Sequence, residues 1–129
     1  MNDPLTFTYP LSALLAIAMP ILVGVFLAKK YGLTWKLFLY GAAAFVLAQL
    51  AHIPINLVLQ KFIPALGPDG NLLAKAVVLS FTAAITEEPA RYSVLKGKLS
   101  WARSWKEALM FGAGHGGLES ILIGMSLLG

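Results

Sequence analysis

A chain of 129 residues that is 58% hydrophobic and 12% charged is not an ordinary soluble domain, which is about 45–50% apolar and about 25% charged. Its mean hydropathy of +0.76 and the gathering of its apolar residues into long blocks mark an integral membrane protein. The net charge of +4 is no nucleic-acid footprint, because the basic residues flank apolar blocks without interleaved aromatic platforms, and the absence of cysteine excludes disulfide and thiol chemistry.

Four blocks, 10–28, 35–60, 72–95 and 105–128, are each near or above the ~20 residues that cross a ~30 Å hydrocarbon layer as a helix. Helices are required because lipid offers the backbone no hydrogen-bond partners. The expectation is an all-α, polytopic transmembrane bundle of about four spans forming a single domain, in contact with membrane lipid and not with nucleic acid. The first span carries no polar group beyond Ser12. It is a poor signal peptide, since Met1-Asn2-Asp3 precedes it and Lys29-Lys30 follow it.

The second span places Gln49, His52, Asn56 and Gln60 at spacings of three, four and four, one polar stripe along a helix, with Pro54 a point where that helix can kink. A turn-rich stretch, 63–71, follows. The third span runs apolar to Ile85 and then carries Glu87-Glu88-Pro89-Ala90-Arg91. Each such charge costs roughly 2.5–3.5 kcal/mol at the centre of a membrane helix, so the string points to chemistry, transport or an internal ion pair. The fourth span carries Phe111-Gly112-Ala113-Gly114-His115-Gly116-Gly117, a run of small residues that admits a close helix neighbour, and Glu119 one turn beyond His115.

Orientation follows from the basic residues. Lys29, Lys30 and Lys36 lie after the first span, and Lys96, Lys98, Arg103 and Lys106 after the third, against Lys61 and Lys75 at the opposite side. This predicts a multi-pass protein of the cell membrane with cytoplasmic basic loops and an outside N-terminus. Trp35, Trp101 and Trp105 fall on the same side as the basic loops, where interfacial aromatics belong.

At ~1.5 Å per residue, Glu87 lies roughly 13 Å and His115 roughly 15 Å from the basic side. They can share a level on antiparallel neighbours. His52, roughly 24 Å in, lies further toward the other side, with Glu119 placed to bridge the gap. Two adjacent carboxylates can divide their roles, one paired with Arg91 and one poised as a base. A poised Glu beside a His suits activation of water and protonation of a leaving amine, and His52 or Asn56 could bind a developing oxyanion. No serine sits in a Gly-x-Ser-x-Gly setting, so water is the expected nucleophile. Three other readings stay open: zinc held by His52, His115 and Glu87 with an open position for water, a proton-coupled transporter built on a Glu/His/Arg relay, and a structural membrane subunit.

The strings 87–91 and 111–119 resemble the two central motifs of the YhfC family of intramembrane proteases, relatives of the CAAX-processing and bacteriocin-processing proteases and of PrsW. The resemblance implies that Glu87 activates water, that His115 matches the histidine of the second motif, and that Glu88 and Arg91 support them. His52-Ile53-Pro54-Ile55-Asn56 is similar to the His-x-x-x-Asn oxyanion element of CAAX-type enzymes, although there it follows the glutamates. The spacing Glu-Glu-x-x-Arg is closer to PrsW than to the CAAX-type Glu-Glu-x-x-x-Arg. YhfC-like proteins are longer, so the chain reads as a reduced member or the N-terminal part of a longer protein. The implied activity is an endopeptidase acting on a peptide or membrane protein within the bilayer, of glutamic type without a cofactor, with a zinc-dependent protease as the alternative. Assembly as an oligomer is left open.

Overall fold

The computed structural model describes residues 5–129. Met1-Asn2-Asp3, used above to argue against a signal peptide, lies outside the described residues. Four long helices follow one another: α1 (Leu5–Tyr31), α2 (Trp35–Phe62), α3 (Leu72–Gly97) and α4 (Trp105–Leu128), with a one-turn 3-10 helix, Pro64–Leu66, between α2 and α3. There is no strand among the described residues. A helix occupies each of the four blocks, the first lengthened at both ends, and α2 continues through Pro54.

Local signals set the ends. Gly32, at φ +64°, closes α1 in the left-handed region that glycine enters freely. Thr34 caps α2 by accepting from the Lys36 amide, and Asn71 caps α3 by accepting from the Leu73 and Ala74 amides. Ser104 and Glu107 form a reciprocal capping box at the start of α4. The Lys75 ammonium, inside the third apolar block, reaches back to the Pro68 carbonyl at 2.9 Å.

Helices α1 and α2 are long and apolar enough to cross a membrane. Helices α3 and α4, at 26 and 24 residues, have the length to cross as well, but their charged and polar residues dilute the apolar run. The exposed flanks are strongly apolar, with Leu11, Leu14, Leu22 and Phe26 on α1 and Leu39, Leu50 and Leu57 on α2. A surface of that kind suits lipid rather than water.

The helices do not pack in chain order. α4 inserts between α1 and α2, and α3 lies against α2, giving the spatial order α1–α4–α2–α3; α3 and α4 make no direct backbone packing among the described residues. The buried hydrophobic cluster reaches the basic end, where Leu27, Leu37 and Met110 join Leu99 and Ala102 of the α3–α4 connection. That connection is thus part of the core.

Candidate active site

Small residues bring α2 and α4 together at the level of His115. A Cβ on Gly41 would strike the Phe111 carbonyl oxygen and come within 2.9 Å of the His115 amide nitrogen, and a Cβ on Gly114 would strike the Phe38 carbonyl. Each helix supplies the glycine against which the other's backbone rests. His115 is buried at this crossing, its ring edge-on to Phe45 at 5.6 Å between centroids.

From there the His115 side chain spans the gap to α3. Its Nε2 lies 3.3 Å from Glu87 Oε2 across 28 positions of sequence, while the backbones of the two helices stay apart. With Glu87 ionised, Nε2–H donates to the carboxylate and Nδ1 is left with a bare lone pair. Nδ1 is buried and has no hydrogen-bond partner.

The paired glutamates divide. Arg91 Nη2 donates to Glu88 Oε1 at 2.6 Å and lies 3.8 Å from Glu87 Oε2. Glu88 therefore holds the guanidinium, and Glu87 faces His115. Side-chain exposure separates them as well, 71% for Glu88 and 20% for Glu87. Two carboxylates against one guanidinium leave a formal charge of −1, a field that attracts a cation beside Glu87.

The remaining predicted residues stand apart from this pair. His115 packs beside Phe45, seven residues and roughly 10 Å along α2 from His52. His52 Nδ1 is committed to Gln49 Oε1 on its own helix at 3.2 Å, and its Nε2 is buried without a partner. The set of His52, His115 and Glu87 that would bind zinc is accordingly not assembled: no group of three His, Cys, Asp or Glu suited to a metal occurs among the described residues. Asn56 Oδ1 accepts from the Thr82 hydroxyl at 2.8 Å, which fastens α2 to α3. Glu119 is exposed and does not bridge His115 to His52, and Gln60 is exposed at the far end of the stripe.

Sequence reasoning missed Thr82 and Thr86, both buried. The Thr86 hydroxyl donates to the Thr82 carbonyl at 2.9 Å, and their spacing of four was the available signal. It also missed Ser120, whose hydroxyl donates to the Ala16 carbonyl at 2.8 Å and ties α4 to α1.

In donor chemistry the pair is compatible with zinc. An imidazole nitrogen and a carboxylate oxygen are zinc donors, and two ligands at about 2.0–2.1 Å on a tetrahedral ion stand about 3.3 Å apart. Catalytic zinc sites take three protein ligands, however, and the described residues gather two. The donor set does not hold zinc by itself.

The family model of the YhfC intramembrane metalloprotease matches residues 15–128, a stretch that takes in His52, the 87–91 string and the 111–119 string. The chain is also similar to the uncharacterized membrane protein YhfC of Bacillus subtilis (strain 168), with 36% identity over 115 residues, 88% of this chain and 45% of that protein. It thus spans less than half the length of this curated relative. No solved structure matches. The family description backs a metal-dependent protease over the metal-free one expected from the sequence. With its helical architecture and both central motifs inside the matched region, the chain belongs to the YhfC intramembrane metalloprotease family.

Proposed function

We propose that this chain carries a hydrolytic centre for peptide bonds within the membrane, built on Glu87 and His115. The observation that carries the reading is the 3.3 Å approach of these two side chains from helices whose backbones do not meet. Glu87 takes a proton from water as the water oxygen bonds to the scissile carbonyl carbon. His115 holds the carboxylate in place through Nε2 and stabilises its charge. When the carbon–nitrogen bond breaks, the departing amine takes a proton from the Glu87–His115 pair. Glu88 binds Arg91, which keeps the guanidinium from neutralising Glu87 outright. His52, about two turns along α2 from the level of His115, and Asn56, about three turns along and bonded to Thr82, are better placed to hold a substrate segment or the helices than an oxyanion at Glu87.

The family description favours a bound metal, which would polarise the carbonyl and activate the water. Since the chain's own residues supply two donors, each step above is assigned to protein groups alone. The asymmetry of basic residues supports a topology with the basic end in the cytoplasm. The test of the reading is cleavage of a membrane-peptide reporter by purified, reconstituted protein. Glu87→Gln and His115→Ala should each lower the rate by about 100-fold or more.

A further inference from the structure

The basic end of the bundle has a feature the hydrolytic reading does not use. Seven basic side chains, from Lys29 to Lys106, meet one carboxylate there, Glu107. That carboxylate is occupied: Glu107 Oε2 accepts from the Arg103 and Ser104 amides at 2.8 Å each. Lys30, Lys96 and Lys106 lie over aromatic rings, Lys106 at 4.9 Å from the Tyr31 centroid. None of the lysines of this end has a carboxylate partner among the described residues.

One of these cations heads a groove. Lys36, Tyr40, Leu39 and Ala43 line a cavity of about 420 Å³ along one stripe of α2. Lys36 stands at the helix end, and Ala43 lies seven residues further in, roughly 10 Å at 1.5 Å per residue. A cation at the rim, followed inward by Leu39, Tyr40 and Ala43, matches an amphiphile with an anionic head and an apolar chain. A soluble anion would use only the rim. Trp35, 41% exposed beside Lys36, marks the depth at which headgroups lie.

We propose that this groove binds an anionic phospholipid, with Lys36 on the phosphate, Tyr40 as a second donor and one acyl chain along Leu39 and Ala43. The proposal is independent of the hydrolytic reading. It is tested by native mass spectrometry of the full chain reconstituted in nanodiscs containing equal phosphatidylglycerol and phosphatidylcholine with matched chains. The wild type should retain phosphatidylglycerol over phosphatidylcholine. Lys36→Ala should weaken phosphatidylglycerol retention about fivefold, and Lys36→Arg should preserve it, as should Lys61→Ala at the opposite end. The proposal is overturned by equal retention of the two lipids, by Lys36→Ala retaining as the wild type does, by equal losses in Lys36→Ala and Lys61→Ala, or by displacement of the lipid by inorganic phosphate where chloride at the same ionic strength does not displace it.

Discussion

Glu87 is held from two directions, by His115 at 3.3 Å and by Arg91 at 3.8 Å, and neither contact is as short as the 2.6 Å bond between Arg91 and Glu88. Glu88 therefore acts on Glu87 through the guanidinium. Removing its charge releases Arg91 toward Glu87, so Glu88→Gln should lower reporter cleavage by about tenfold, less than the loss expected of Glu87→Gln. Comparing the two variants in one assay checks the division of roles, and equal losses would contradict it. Asn56 and Thr82 belong to packing. Loss of their interhelical bond through Thr82→Val should destabilise the fold by about 0.6–1.7 kcal/mol, read as earlier unfolding in detergent, with the rate per folded molecule unchanged.

At the scale of elements, glycines decide which helices can meet. Gly41 and Gly114 sit where a side chain would run into the opposing backbone, whereas Gly112 and Gly116 face open space. Gly41→Ala or Gly114→Ala should cost about 1–3 kcal/mol through overpacking and should displace His115 from Glu87. Gly112→Ala and Gly116→Ala should be close to neutral. Thermal unfolding of the four variants in detergent separates the two groups, and a uniform response would show that the α2–α4 crossing is wrongly drawn. Only part of this was legible in the sequence. The helices could be read because the apolar runs are long, and their bounds are set by residues whose chemistry is local, Gly32 at the close of α1 and Thr34, Asn71 and Ser104 at the starts of α2, α3 and α4. The pair at Glu87 and His115 could be read because charge inside an apolar run is costly and depth follows from counting residues. The order α1–α4–α2–α3 could not, since all four helices are apolar around most of their circumference and no single polar face dictates a neighbour. For the same reason Asn56 read as a candidate for oxyanion binding and Glu119 as a bridge. Each depends on which helix stands opposite.

For the whole molecule, two helices with the length and hydropathy of spans and a family of membrane proteins place the chain in a bilayer. Its two central polar strings lie inside the region the family model matches. The chain spans less than half of its Bacillus subtilis relative, and its described residues gather two zinc donors where a catalytic site uses three. With two donors of its own, the chain should keep reporter cleavage under chelation; loss on chelation with recovery on added zinc would show instead that a metal completes the site, as the family description has it. Reporter fusions should find the loop at 98–104 in the cytoplasm and the turn at 63–71 outside, and the reverse pattern would overturn the orientation. The central claim is that Glu87 and His115 do the chemistry together. Its most direct test is the rate at which purified, reconstituted protein cleaves a membrane-peptide reporter, measured for wild type, Glu87→Gln and His115→Ala at matched helicity. The account predicts that each variant loses about 100-fold or more; wild-type rates in both would contradict it.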